Sequence, residues 1–324
     1  MQNNPGRMER RQALKTLAGA TGALMWPQGL LAAADTGGND RLGDLLPQRL
    51  LGRTNIAVTM LGIGGWHVGQ MAPADAQALI ETALAGGVRF FDTAESYQDG
   101  HSEELYGQLL TPKYRDDVFL MTKTTARDAT AARQHLEGSL KRLKTDVVDL
   151  WQVHALNDAA DVDDRLTAGV LEEMLRQQAA GHVRHIGFTG HKRPAALQRM
   201  LERTDVPVSC QMPVNVLDPG YESFVNGVLP RLVERGVGAL AMKTLANGRL
   251  FDQVIPGRVS LSEALSFVWS LPISVLIYGP DDVAQLQQTL QVARAFTSLD
   301  EKMRQSLVRR VADLAGNKVE YYKA

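Results

Sequence analysis

Residues 118–154 read VFLMTKTTARDATAARQHLEGSLKRLKTDVVDLWQVH, in which two short apolar runs enclose a longer segment with helical patterning. The same alternation recurs along the chain after residue 46. Eight apolar runs are bounded by Gly, Asp or Pro, as buried parallel strands are, and they occupy residues 59–65, 88–93, 118–123, 147–154, 183–190, 206–212, 237–243 and 273–279. Eight strands that alternate with helices predict a (β/α)₈ TIM barrel, an α/β fold.

Two further elements are expected around the barrel. Residues 49–59 predict a β-hairpin that closes its bottom, with the turn near Thr54. Residues 298–315 predict an extra C-terminal helix that packs outside the ring of helices. Capping-box spacing predicts helix starts at Ser260 with Glu263 and at Ser298 with Glu301.

The first 34 residues differ in character from the rest of the chain. The pair Arg10 and Arg11 is followed by a weakly apolar run at 18–31 and by three alanines at 32–34. This order is typical of a secretory signal, and the arginine pair resembles the twin-arginine signal. We therefore expect a signal peptide at 1–34, a single mature domain at 35–324, recognition by the twin-arginine export machinery and a periplasmic location, or a cytoplasmic one if the signal is not functional.

Composition restricts the class of protein. The chain has 324 residues, of which 44% are hydrophobic, a proportion that fits a packed soluble protein. Its formal net charge of -1 supplies no basic surface, so nucleic-acid binding is not expected. The apolar run near the N-terminus is diluted by glycines and a proline, which argues against a stable membrane span. The single cysteine, Cys210, rules out an intrachain disulfide and a multi-cysteine metal site.

Polar side chains stand at the carboxyl ends of successive predicted strands, where barrel enzymes place their chemistry. Asp92, Lys123 and His154 are separated by one strand–helix unit each and should meet at one mouth. Tyr97 follows five residues after Asp92, on the loop that leaves the same strand. An unpaired buried aspartate or lysine is costly, so each is expected to have the other as its partner.

These four side chains predict acid catalysis on a carbonyl group. A lysine ammonium about 4 Å from a phenol contributes roughly 4 kcal/mol at an effective dielectric constant of 20. Because about 1.36 kcal/mol corresponds to one pKa unit, we expect Lys123 to lower the pKa of Tyr97 by up to about three units. Tyr97 would then donate a proton to a carbonyl oxygen, and His154 a hydrogen bond to the same oxygen. None of the four donates a hydride, so a redox cofactor is required.

Several of these segments resemble the aldo-keto reductases. They are residues 87–97 (GVRFFDTAESY), 102–107 (SEELYG), 121–124 (MTKT) and 150–154 (LWQVH), and the resemblance extends over residues 48–324. It implies a monomeric carbonyl reductase with a nicotinamide cofactor across the barrel mouth, the acid Tyr97, and the assisting residues Lys123, Asp92 and His154. The small-molecule substrate is an aldehyde or ketone.

The resemblance also implies cofactor-binding residues. Thr189 and Gly190 stand at the carboxamide-binding pair, Gln211 at the carboxamide-binding glutamine, and residues 241–248 (AMKTLANG) at the loop that holds the pyrophosphate. In place of the aromatic residue that stacks on the nicotinamide, this chain has Val214, so Met242 or another side chain would cover the ring. The full set of expected cofactor residues is Thr189, Gly190, Gln211, Met242, Lys243, Thr244, Leu245, Gly248 and Gly279.

The loop after the eighth strand departs from the family pattern. Members that prefer NADP hold its 2′-phosphate with Lys or Arg here, because phosphate is bound best by charged donors. Residues 279–290 contain no Lys or Arg, and Asp281 and Asp282 would repel a phosphate. We therefore expect NADP or NAD as the cofactor, with weaker selection for NADP than is usual. The two aspartates would accept hydrogen bonds from a ribose hydroxyl.

Substrate contacts and two alternatives complete the expectations. Trp66, His67 and Trp151 are expected to line the substrate pocket. One alternative is a non-catalytic barrel that binds the nucleotide as a redox sensor or binds a partner protein. The second is a barrel hydrolase in which Asp92, His154 and His191 hold a metal; such hydrolases begin with paired histidines on the first strand, where His67 stands alone, so no metal is expected.

Overall fold

The computed structural model describes residues 37–248 and 258–324. Two antiparallel pairs come first, β1 (Asn39–Asp40) with β2 (Gly43–Asp44) and β3 (Gln48–Leu50) with β4 (Ala57–Thr59). The second pair confirms the predicted hairpin, and Asn55 in its turn has a left-handed φ of 59°. The predicted signal peptide at 1–34 and the start of the mature domain at 35 lie outside the described residues.

Eight parallel strands close into the predicted barrel, in the ring order β10-β11-β12-β5-β6-β7-β8-β9. Each overlaps one of the predicted apolar runs. They are β5 (Leu61–Gly64), β6 (Phe90–Asp92), β7 (Phe119–Thr124), β8 (Val148–Val153), β9 (Val183–Thr189), β10 (Ser209–Pro213), β11 (Gly238–Met242) and β12 (Val275–Tyr278).

Helices surround the barrel and bury their apolar faces against it. In α2, for example, Ala76, Leu79, Ile80, Ala83 and Leu84 form the expected buried stripe. The described helices are α1 (Gly65–Val68), α2 (Pro73–Ala85), α3 (His101–Leu109), α4 (Thr111–Tyr114), α5 (Ala129–Leu143), α6 (Ala159–Thr167), α7 (Val170–Ala179), α8 (Pro194–Arg203), α9 (Phe224–Gly227), α10 (Leu229–Glu234), α11 (Leu261–Trp269), α12 (Val283–Arg294) and α13 (Glu301–Val311).

The hairpin closes the amino-terminal end of the barrel. Leu51 and Val58 belong to the same buried cluster as Phe90 and Leu240, which point into the barrel. Arg49 donates hydrogen bonds to Ile273 O at 2.8 Å and to Trp269 O at 2.6 Å, just before β12 begins. With this end filled, the open mouth of the barrel is at the carboxyl ends of the strands.

One of the two predicted capping boxes is correct. Ser260 and Glu263 form the reciprocal pair at the start of α11. The other prediction is wrong, because α13 begins after Asp300, whose side chain accepts a hydrogen bond from Met303 N. Ser298 therefore lies two residues before the actual cap. Within residues 37–248 and 258–324, no helix combines the length and the apolar character needed to cross a membrane.

Candidate active site

Lys123 stands at the centre of the mouth, and the register of the strands brings Asp92 to it. Asp92 ends β6 opposite Met121, and Lys123 lies two residues further along β7. The Lys123 ammonium is 1% exposed and is hydrogen-bonded to the Asp92 carboxylate. It also donates to Thr93 O at 2.8 Å and to the Tyr97 hydroxyl at 3.0 Å. All three of its donors are thus used inside the barrel.

The loop after β6 turns Tyr97 back over the strand ends. Gln98, Asp99 and Gly100 have φ values of 46°, 54° and 95°, three consecutive left-handed residues. Such backbone is unfavourable for residues other than glycine and is held only where the surrounding structure fixes it. Here the Gln98 side chain donates to Trp66 O at 3.2 Å, which ties the turn to the short helix α1 that follows β5.

Three groups surround the phenol ring of Tyr97. Lys123 Nζ lies 4.6 Å from the ring centroid, on its face. The indole of Trp66 meets the ring edge-on with centroids 5.3 Å apart, and the His154 imidazole lies 5.6 Å away at 73°. The structure therefore brings together all four residues predicted for the acid site. Trp66 is 48% exposed, so it stands as an aromatic wall beside the phenol.

The pKa of Tyr97 moves in the opposite direction to the one expected. Burial raises the pKa of this phenol above its ordinary value of 10, and the Lys123 ammonium lowers it by less. The expected net lowering is therefore wrong, because the expectation counted the ammonium and left out the cost of placing a phenolate in a dry site. At neutral pH Tyr97 is a protonated phenol.

Lys123 is charged and His154 is neutral. Burial lowers the pKa of Lys123, but Asp92 and Tyr97 raise it by more, so the ammonium stays protonated. Burial, followed by the Lys123 charge, holds the pKa of His154 well below 6.5. His154 is thus a neutral imidazole, whose Nδ1 lies 3.3 Å from the Ser96 hydroxyl. A neutral imidazole donates through one nitrogen only, and Ser96 helps to set which one. Ser96 was not singled out in the sequence, although it is adjacent to Tyr97.

Three of the expected cofactor residues lie together beside Asp92. Thr189 pairs with Gln211 across β9 and β10, and Gly190 N donates to Gln211 O at 3.2 Å. Gln211 Nε2 donates to Asp92 at 3.3 Å, while its buried Oε1 has no hydrogen-bond partner within the described residues. A buried acceptor without a partner costs free energy unless a ligand supplies a donor. The Thr189 hydroxyl instead already accepts from Ala155 N at 2.9 Å.

The loop after β11 has an unusual backbone. Lys243, Ala246, Asn247 and Gly248 all have positive φ values, of 57°, 50°, 56° and 82°. Met242, the last residue of β11, and Leu245 in the loop are half-buried, and Thr244 is buried. The Lys243 side chain forms no ion pair or hydrogen bond in the part of the chain that the structure describes, and burial lowers its pKa. Within residues 37–248 and 258–324 it is thus a half-buried cation without a counter-charge.

His67, which was expected in the substrate pocket, lies against the loop after β12. A Cβ added to Gly279 would stand 2.0 Å from His67 Nδ1, so the imidazole packs directly on this glycine. His67 Nε2 is 3.9 Å from Asp281, and burial lowers the pKa of the imidazole. His67 therefore lies with the residues expected for the cofactor.

The prediction that Trp151 lines the substrate pocket is wrong. Trp151 pairs with Thr122 across β8 and β7, and paired residues point to the same side of a sheet. The Thr122 hydroxyl donates to Glu103 in α3 at 2.5 Å, so this side faces the helices. Trp151 is fully buried there. Its neighbour Gln152 faces the barrel interior instead, where it donates to Ser209 at 3.0 Å.

The metal-site alternative has no cluster to support it. Among residues 37–248 and 258–324, no group of three potential ligands is close enough to hold a metal ion. His191 is directed elsewhere, with Nδ1 2.9 Å from Tyr322 O. Tyr322 was also not singled out in the sequence. The Tyr-Tyr-Lys sequence at 321–323 was the available signal.

Comparisons with known proteins show which family and fold this chain is similar to. The model of the Aldo/keto reductase family matches residues 60–263. A 6-dehydroglucose reductase of Novosphingobium aromaticivorans is 30% identical over 240 residues, which are 68% of this chain and 76% of that protein. The holo form of aldo-keto reductase AKR11C1 from Bacillus halodurans has a TM-score of 0.72 at 23% identity, over 82% of this chain and 96% of that one. An aldo/keto reductase from Klebsiella pneumoniae in complex with NADP and acetate has a TM-score of 0.67 at 23% identity, over 80% and 94% of the two chains.

Proposed function

The chain belongs to the aldo/keto reductase family and is an NAD(P)H-dependent oxidoreductase, and we propose that it reduces an aldehyde or ketone with a proton from Tyr97. One observation carries the proposal: the Lys123 ammonium donates to the Tyr97 hydroxyl at 3.0 Å, deep in the barrel mouth. A protonated phenol with a fixed cation behind it is suited to give up its proton to a developing oxyanion.

The described residues fit a nicotinamide dinucleotide. Gln211 Oε1 is a buried acceptor that a carboxamide N–H would satisfy. Lys243 is a half-buried cation with no carboxylate partner among the described residues, on a loop that contains several left-handed residues. A pyrophosphate supplies the missing negative charge. We propose the remaining cofactor contacts at Thr189, Gly190, Met242, Thr244, Leu245, Gly248 and Gly279, as the resemblance to the family implies.

The residues of the mouth divide the chemistry between them. When bound, the reduced nicotinamide supplies the hydride. His154 donates an N–H to the carbonyl oxygen and orients the substrate. Tyr97 transfers its proton to that oxygen as the C=O bond becomes a C–O single bond, and the resulting phenolate is stabilised by Lys123. Asp92 holds Lys123 charged and in place, and water returns a proton to Tyr97 after the alcohol leaves.

The test must separate catalysis from nucleotide binding alone. Purified protein is mixed with an excess of NADH or NADPH and a panel of aldehydes, and the loss of nicotinamide absorbance at 340 nm is followed. Consumption of many nucleotides per protein molecule supports the proposal. Binding of nucleotide without consumption beyond one equivalent would instead support the non-catalytic redox sensor or partner-binding barrel.

For the cofactor we propose weak selection for NADP, with use of NAD. Beside the loop after β12 lies a cavity of about 590 Å³ whose charged lining residues are Asp75, Asp281 and Asp282. Asp282 is occupied as the cap of α12, where it accepts from Gln285 N at 2.8 Å. Asp281 is exposed and able to accept a hydrogen bond from a ribose hydroxyl, whereas it would repel a 2′-phosphate.

Fluorescence titration with NADH and NADPH separately tests this preference. We expect similar affinities or tighter binding of NADH, and we expect Asp281→Asn to improve NADPH binding relative to NADH because it removes one negative charge. A hundredfold preference of the wild-type protein for NADPH would refute the proposal.

We also propose that residues 1–34 direct the folded protein to the periplasm through the twin-arginine machinery, with its nucleotide bound before export. The support is the Arg10–Arg11 pair, the apolar run and the alanines that follow it. Replacement of both arginines by lysine should leave the precursor in the cytoplasm, as measured by cell fractionation and blotting. Export of this variant at the wild-type level would contradict the signal assignment, and exported protein free of nucleotide after gentle purification would contradict the loading.

A further inference from the structure

The segment at residues 320–323 connects the loops that follow three neighbouring barrel strands. Tyr322 O accepts from His191, two residues beyond β9. The Tyr322 hydroxyl is bound by Asn215, two residues beyond β10. Asn247, in the loop after β11, donates to the Tyr321 hydroxyl at 2.6 Å. The segment therefore lies over the part of the mouth where Lys243 stands.

A buried ion cluster fixes this segment in place. Lys323 is fully buried and donates to Asp218 at 2.8 Å and to Tyr221 O at 2.6 Å, and it lies 2.7 Å from Glu320. Asp218 is also fully buried and accepts from the Ser223 hydroxyl at 2.8 Å. Removing one partner of such a cluster is costly because the charges that remain are buried without compensation. The backbone position of Tyr322 is therefore held by its neighbour and not only by its own contacts.

Tyr322 reaches Lys243 by two routes. The Nδ2 group of Asn215 donates one hydrogen to the Tyr322 hydroxyl at 2.8 Å and the other to Lys243 O at 3.1 Å. Asn215 is fully buried, and its Oδ1 accepts from Leu217 N at 2.9 Å, so every polar group of its amide is used. In addition, Lys243 Nζ lies 5.8 Å from the centroid of the Tyr322 ring, within the range of a cation–π contact.

Lys243 has two unusual features. Its backbone has a φ of 57°, which a lysine does not adopt without external constraints. Its ammonium faces the Tyr322 ring and, among residues 37–248 and 258–324, no carboxylate, so its charge is not neutralised by these residues. A carboxylate at this place would form an ion pair with the lysine and compete with a phosphate for it.

We propose that Tyr322 is a positioning residue that holds Lys243, through Asn215 and its own ring, for the pyrophosphate of the dinucleotide. This inference rests on the proposed function, since it takes the nicotinamide dinucleotide as the ligand. Tyr322 itself is assigned no contact with the nucleotide. Loss of its hydroxyl leaves one N–H of the buried Asn215 without a partner, and the Lys243 loop is then no longer fixed.

A double-mutant cycle on nucleotide binding tests the inference. Dissociation constants for the tighter-binding reduced nucleotide are measured by fluorescence for wild type, Tyr322→Phe, Lys243→Met and the double variant. We expect Tyr322→Phe to weaken binding about five- to tenfold in the wild-type background and less than twofold in the Lys243→Met background. Tyr114→Phe, a buried tyrosine before β7 at the other end of the barrel, is the matched control and should bind within twofold of wild type.

Thermal unfolding of each variant identifies a general loss of structure. If Tyr322→Phe is poorly folded, Asn215→Ser breaks the same connection and is taken through the same cycle. Equal effects of Tyr322→Phe in both backgrounds, or no effect in either, would overturn the inference while leaving the proposed function intact. A wild-type protein that binds neither NADH nor NADPH would contradict the proposed function, and the inference with it.

Discussion

At the residue scale, the chemistry depends on how burial and charge oppose each other at Tyr97. The ammonium 3.0 Å from the hydroxyl favours the phenolate, yet burial outweighs it and the pKa lies above 10. The same lysine contributes to the low pKa of His154. The Lys123 ammonium thus helps to keep the imidazole neutral, and the same ammonium would stabilise the phenolate that forms during reduction.

This balance predicts the pH dependence of carbonyl reduction. Because the pKa of Tyr97 is raised above 10, the proton donor remains protonated as the pH rises, and kcat/KM for an aldehyde should not fall between pH 7 and about 9. Initial rates in buffers of constant ionic strength measure it. If kcat/KM falls tenfold between pH 7 and 9 while the nucleotide affinity stays constant, the phenol titrates in that range and the prediction is wrong.

The sequence located the four acid-site residues but not the direction of every neighbouring side chain. Asp92, Lys123 and His154 are recognisable because charged groups end otherwise apolar strands. Trp151 could not be oriented in this way, since all six residues of β8 are buried and the apolar pattern does not distinguish the barrel interior from the helix layer. Only the pairing with Thr122 decides its side.

At the element scale, the strands were predictable and the fine structure of the loops was not. Apolar runs ended by Gly, Asp or Pro are local signals, so all eight strands overlap their predicted ranges. The start of α13 was misplaced because Ser298 and Asp300 both offer a capping oxygen, and the choice between them depends on packing. The contacts of residues 320–323 join positions about a hundred residues apart, which no local pattern reveals.

The ion cluster around Lys323 gives a prediction about stability. Lys323→Met leaves Asp218 and Glu320 buried without their cation, and should lower the free energy of unfolding by about 3 kcal/mol. Urea unfolding followed by circular dichroism measures the change. Arg258→Met, which removes an exposed ion pair with Asp313 near the same terminus, is the control and should change stability far less. Equal effects of the two variants would mean that Lys323 is not the anchor of this segment.

At the scale of the whole molecule, the fold buries histidines in their neutral form. Burial lowers the pKa of His67, His154, His185 and His191 below the ordinary value of 6.5. Between that value and the lower pKa of the folded state, the unfolded chain binds protons that the folded chain does not. The contribution of these histidines to the free energy of unfolding is therefore fully present above pH 6.5. It decreases as the pH falls below that value.

We expect the melting temperature to fall between pH 7 and 5.5, with each such histidine contributing up to about 1.4 kcal/mol per pH unit. Differential scanning fluorimetry of wild type and His191→Gln at both pH values measures it. The glutamine of the variant keeps a hydrogen-bond donor near Tyr322 O but does not titrate. The melting temperature of the variant should therefore fall less between pH 7 and 5.5 than that of the wild type. A decrease of equal size in both proteins would exclude His191 as one of the groups responsible.

The assignment of Tyr97 as the proton donor is tested most directly by a single turnover. Stopped-flow fluorescence follows the oxidation of pre-bound reduced nucleotide after mixing with an aldehyde, so that nucleotide release does not mask the chemical step. For Tyr97→Phe we expect a rate at least about a hundredfold below that of the wild type, with nucleotide affinity within twofold. A Tyr97→Phe protein that oxidises its bound nucleotide as fast as the wild type would contradict the assignment.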